Sequence, residues 1–135
     1  MKSPQEIVQF MLNNDAYSKW LGISILEVNE GFCKLTMTVH SEMLNGHQIA
    51  HGGISYAISD SALAFAANSR GYKAVSIETS IAHISPVFEG DTLIVICSEI
   101  SNGKSIARYI SEVFNQNNQL VARFNGTVFK KNESW

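Results

Sequence analysis

One segment constrains this chain more than any other. Residues 52–70, GGISYAISDSALAFAANSR, form a long apolar run crowded with small residues: Ala57, Ala62, Ala64, Ala66 and Ala67. It reads as a helix from Gly52 to Arg70, closed by Gly71 as a C-cap. Two strand-like segments precede it and four follow. A dominant apolar helix among consecutive strands must bury itself against one sheet face. The alanines suit a strongly curved sheet wrapped close around it. The fold class is therefore α+β, and 135 residues suffice for one domain, 1–135, with a single core.

The flanking pattern supports this layout. Ser3-Pro4-Gln5-Glu6 is a capping box, with Ile7, Phe10 and Met11 at helical spacing, so a helix is expected from Pro4 to about Asn14. Ile23, Ile25 and Val28 are separated from Cys33, Leu35, Met37 and Val39 by the hairpin turn Asn29-Glu30-Gly31. Residues 40–51 carry no period and read as loop. Beyond the helix, strands are expected over roughly 73–84, 91–101, 104–115 and 119–130. Asn102-Gly103 signals a type I′ hairpin turn between the second and third of these. The last alternates cleanly, with Leu120, Ala122, Phe124 and Val128 opposite Arg123, Asn125 and Thr127.

Charge and composition exclude several functions. The chain has a formal charge of −2 and no Lys/Arg cluster in sequence, which points away from nucleic acid and anionic membranes. The apolar run from Ile54 to Ala67 is too short and too polar to span a bilayer. MKSPQEIVQF has neither the apolar core nor the cleavage site of a signal peptide, so a cytoplasmic protein is expected. Cys33 and Cys97, without CxxC spacing, read as reduced core residues.

Asp60 interrupts the helix and needs a reason, because a buried unpartnered carboxylate is costly. Either Ser59-Asp60-Ser61 is a solvated strip, or the carboxylate is functional. The helix start bears on that choice. His51-Gly52-Gly53 places unencumbered backbone N–H groups at a positive helix end, where a polarised carbonyl oxygen can be held. No GK[ST] follows, which removes the P-loop alternative. A carboxylate base or nucleophile is the natural companion of such an oxyanion hole. Yet Gly52 and Asp60 stand roughly 12 Å apart along the axis and on different faces. Both must lie within about 3 Å of one reacting group, so if both are catalytic they come from different copies of the chain. Two-fold pairing of helices meets that condition, giving a dimer with two interfacial sites.

The pattern N-G-H-x3-H-G-G-x6-D over residues 45–60, then Asn68-Ser69-Arg70-Gly71, Pro86, Gly90-Asp91-Thr92-Leu93, Gly103-Lys104 and Val121-Ala122, resembles the hotdog-fold thioesterases of the phenylacetate-degradation (PaaI) type. The likeness covers roughly residues 20–130. It implies a hotdog fold, a homodimer usually paired into a homotetramer, and hydrolysis of acyl-CoA thioesters at the dimer interface. The Gly52 amide would polarise the thioester carbonyl, and Asp60 of the partner subunit would act as base or nucleophile. Asn45, His51, Gly53 and Ser76 would line the substrate. No metal and no cofactor are implied beyond the CoA of the substrate. An aryl or arylacetyl group is implied by the family, with medium-chain acyl the main competitor. Two departures stand out: His83-Ile84-Ser85-Pro86 where relatives carry an aromatic-Leu-Arg-Pro run, and Glu78 on the same strand.

Other readings carry less. His47 and His51 form an i,i+4 pair but lack HExxH or a supporting carboxylate for a metal site. His83 reads as a structural histidine, and Cys33 has no evident base to make it a nucleophile. A hotdog hydratase would pair a catalytic His with an acid at a different spacing. A non-catalytic acyl-CoA-binding module would have no need of Asp60. Lys73, Lys104 and Arg108 are candidate contacts for CoA phosphates or plain solvated charges.

Overall fold

The computed structural model describes residues 1–135. In chain order the elements are α1 (Pro4–Asn13), α2 (Ala16–Leu21), β1 (Ser24–Asn29), β2 (Phe32–Thr38), α3 (Gly52–Asn68), β3 (Tyr72–His83), β4 (Thr92–Asn102), β5 (Ile106–Phe114) and β6 (Leu120–Ser134). A single 3-10 turn, Ser41–Met43, interrupts the long loop before α3. The strands form one antiparallel sheet in the order β1-β2-β4-β5-β6-β3, leaving β3 at an edge. The sheet curls around α3, which packs against β2 through β6. This is the hotdog architecture that the resemblance implies.

Close approach of helix and sheet has a local cause. A Cβ at Gly126 on β6 would collide with the Leu63 methyl groups, so glycine there leaves room for the Leu63 side chain between α3 and the sheet. Ile58, Leu63 and Phe65 are fully buried in one core with Leu35, Val95, Phe124 and Val128. At the far end of α3, the Asn68 side chain ties the helix to β3 and to the last residue. Its amide donates to the carbonyls of Ala64 at 2.8 Å and Ala74 at 3.1 Å. Its Oδ1 accepts from the Ala74 N–H at 3.0 Å and from Trp135 Nε1 at 2.9 Å.

The capping box forms as expected, the Glu6 N–H donating to Ser3 Oγ at 3.1 Å and the Ser3 N–H to Glu6 Oε2 at 2.7 Å. The buried face of α1, however, is Ile7 and Val8. Phe10 instead lies outside, edge-on to Trp135 with ring centroids 6.0 Å apart. The short helix α2 is absent from the sequence reading. Asp15 caps it through the Ser18 N–H at 2.9 Å, and Gly22 closes it at φ 75°.

Two turns and one strand end differ from expectation. Neither Asn102 nor Gly103 adopts positive φ, so the β4–β5 connection is not a type I′ turn but a longer loop closed by the Gly103 N–H on the Ile106 carbonyl at 2.9 Å. β6 runs on to Ser134 because its last residues continue to pair with the start of β3, Ser134 opposite Tyr72. A register shift between Ile25 and Glu27 explains why Ile25 and Val28, three apart, both turn toward the helix side. No helix is long and apolar enough to cross a membrane.

Candidate active site

The N-terminus of α3 is built by its own loop. Asn45 Oδ1 accepts from the His47 N–H at 2.8 Å, folding residues 45–49 into a tight turn with Gln48 at φ 62°. His51 then caps the helix, Nδ1 accepting from the Gly53 N–H at 2.8 Å. This bond requires a lone pair on Nδ1, so the ring proton sits on Nε2. A Cβ at Gly53 would stand 3.0 Å from the same Nδ1, which explains the glycine. Of the two glycine amides, Gly53 is therefore occupied by His51. The Gly52 N–H has no acceptor within the chain. It borders a cleft of about 270 Å³ shared with Asn45, Ser55, His83, Pro86 and Val87.

Asp60 lies elsewhere. It borders a second cleft, of about 240 Å³, with Leu63, Ala64, Ala74, Val75, Ser76 and Val128. No residue borders both clefts. The solvated-strip reading does not hold, because Ser59 is fully buried and Ser61 is 9% exposed. Ser59 Oγ donates back to the Ser55 carbonyl at 2.8 Å, and Ser61 Oγ meets Ser18 Oγ at 2.8 Å. Asp60 itself is half-buried, and no cation pairs with it. Burial, and secondarily the like charge of Asp15, push its carboxyl above the ordinary value of 3.8.

The structure thus joins Asp60 with Ser76 and Gly52 with Asn45, and locks His51 to Gly53. It also places His83 at the site. The ring is exposed, and Nε2 sits 3.1 Å from where a Cβ on Gly52 would stand. On sequence alone this histidine reads as structural. The signal available was its position in the His83-Ile84-Ser85-Pro86 departure, three residues before a proline in a chain that has only two. Glu78 is exposed, next to a register shift in β3. His47 is exposed, and no three His, Cys, Asp or Glu side chains converge. Cys33 and Cys97 face each other across β2 and β4, both free and buried, and burial pushes the Cys97 thiol up to about 12. Neither is a thiolate at neutral pH.

An apolar helix in a curled sheet, with an unpartnered helix-end amide and a half-buried carboxylate, is an arrangement that suits acyl transfer. The chain belongs to the thioesterase superfamily, whose profile matches residues 47–122, and it is a thioester hydrolase. It is 44% identical to the acyl-coenzyme A thioesterase PaaI of Escherichia coli, over 86% of this chain and 83% of that protein. The solved structure of the E. coli PaaI protein superposes with a TM-score of 0.95 at 39% identity, covering 97% of this chain and 95% of that one. A mutant form of the phenylacetic acid degradation protein PaaI from Thermus thermophilus gives 0.84 at 33% identity, over 87% and 100% of the two chains. The smu.793 protein of Streptococcus mutans UA159, solved with acetyl CoA, gives 0.81 at 26% identity, over 84% and 91%.

Proposed function

We propose that the protein is an acyl-CoA thioesterase whose site forms between two copies of the chain. The observation that carries this reading is the separation of the Gly52 amide and Asp60 into two clefts that both open along one edge strand. His83 stands at the Gly52 end of β3 and Ser76 at the Asp60 end. β3 has no neighbour on its outer side, and Val75 and Ile77 on it are 45% and 58% exposed. A long exposed edge of this kind invites pairing with another strand. Antiparallel pairing with a second β3 about a two-fold axis at Ser80 sets Ser80 opposite its own copy and His83 opposite the partner's Ile77, beside Ser76. Each Gly52 cleft then meets an Asp60 cleft of the other copy, and two equivalent sites arise from one two-fold axis.

In the joined site the Gly52 N–H holds the thioester carbonyl oxygen and stabilises the charge that develops on it. Asp60 of the partner subunit either deprotonates a water or attacks the carbonyl carbon directly. In both routes a water oxygen ends bonded to the acyl carbon, the C–S bond breaks, and the CoA sulfur leaves with a proton. Ser76 and Asn45 hold the water or the acyl group, and the His51–Gly53 cap keeps the Gly52 amide aimed into the cleft. None of these steps calls for a metal or a separate cofactor. The acetyl CoA bound by the S. mutans relative supports the CoA part of the substrate. The names of the E. coli and Thermus relatives support an aryl or arylacetyl group over a medium-chain one.

The test is thiol release from a panel of aryl-, arylacetyl-, short- and medium-chain acyl-CoAs, with wild type and Asp60→Asn side by side. Fast hydrolysis of the aryl or arylacetyl class is expected, lowered by roughly 10²–10⁴ in the variant. A variant within a few-fold of wild type removes Asp60 from the mechanism. No turnover of any thioester, with saturable binding retained, replaces the enzyme with an acyl-CoA-binding module.

A further inference from the structure

At the opposite end of β3 from His83 lies a cleft of about 490 Å³ lined by Tyr72, Lys104, Ser105, Lys130, Lys131 and Asn132. It holds three ammonium groups and no carboxylate, in a chain whose net charge is −2. The molecule's ion pairs use Arg70, Lys73 and Arg123, so all three lysines are uncommitted to an acid. The cleft is also shaped by specific contacts. The Lys130 N–H donates to the Ser105 carbonyl at 2.8 Å, fixing the β4–β5 loop against β6. Lys130 Nζ donates to Asn102 Oδ1 at 2.7 Å and lies 5.6 Å from the Tyr72 ring centroid. Three like charges held together repel unless an anion joins them, and ammonium groups beside a hydroxyl and an amide suit phosphate oxygens.

This cleft continues the Asp60 cleft along the same two strands. Ala74 and Val128 border the Asp60 cleft, while Tyr72 and Lys130, each two residues further on, border the lysine cleft. Two residues of strand are roughly 7 Å. We propose that Lys104, Lys130 and Lys131 bind the phosphate groups of the substrate's nucleotide end. This rests on the acyl-CoA thioesterase reading. The phosphates are then held by the chain that supplies Asp60, while the carbonyl is held by the Gly52 of the other copy, so one substrate molecule bridges two subunits.

Titration calorimetry of CoA, pantetheine and inorganic pyrophosphate against wild type and Lys104→Gln/Lys131→Gln tests the assignment without any turnover. Both substituted lysines are exposed, and thermal melting confirms that the variant folds. The variant is expected to lose roughly tenfold in affinity for CoA and for pyrophosphate, and nothing for pantetheine, which lacks the phosphates. Added salt should weaken pyrophosphate binding to wild type. Unchanged affinity for CoA and pyrophosphate overturns the proposal. Loss for pyrophosphate alone overturns it too, since a phosphate site would remain but CoA would not be its ligand. A failure of the thioesterase reading shows separately, as absent thiol release.

Discussion

At the scale of single residues, the role proposed for Asp60 sets function against stability. Its carboxyl titrates above 3.8 because folding strips water from the charged form and brings Asp15 near. The sign follows from proton binding. Between the unfolded value and the raised folded value, the native state holds more protons than the unfolded chain, so stability falls as pH rises through that window. At neutral pH the ionised carboxylate is a net cost to the fold. Asp60→Asn is therefore expected to melt higher than wild type at pH 7, with the difference vanishing below about pH 3, even as it loses turnover. Melting curves across pH check this, and a variant that melts lower at pH 7 would remove the desolvation account. On the proposed mechanism, which needs the carboxylate ionised, the acid limb of the rate profile is expected above 3.8.

At the scale of elements, α3 meets the sheet where Gly126 of β6 leaves room for Leu63. Gly126→Ala forces the Leu63 side chain aside in a packed core, and a loss of about 1–3 kcal/mol is expected in urea unfolding. The double substitution with Leu63→Ala should cost less than the two separate losses added together, because the first collision no longer occurs. Elements this long were legible from pattern alone: α3 by its continuous apolar run, β4 to β6 by alternation. The six residues of α2 were not, since hydrophobic period needs more than two turns to declare itself. The β4–β5 turn misled for another reason, because Asn-Gly permits positive φ without requiring it. Within the site, Asp60 and Gly52 stood out as residue types at odds with an apolar helix. His83 did not, and Ser76 was reached only through the family resemblance, because β3 is an edge strand largely exposed on both faces and interrupted by register shifts, so no alternation tells which way its side chains face.

At the scale of the molecule, the decisive question is whether one chain can work alone. If each site takes its amide from one copy and its carboxylate from the other, two inactive variants can restore each other. Asp60→Asn removes the carboxylate. Gly52→Pro removes the N–H at the first helical residue, where proline is at home, and its ring needs only the exposed His83 side chain, 3.1 Å from the Cβ position, to give way. His51, at φ −57° and ψ 138°, already has the extended backbone that a following proline demands. Each variant alone should be inactive. Mixed after subunit exchange, half the dimers are expected to be hybrids, and each hybrid carries one site with both groups intact and one with neither. The mixture should then recover about a quarter of the wild-type rate. A site contained within one chain gives no recovery at any mixing ratio. Val75→Lys with Ile77→Lys on the β3 edge supplies the counterpart: charge on the proposed seam should shift the protein to monomer in sedimentation and abolish turnover in the same samples.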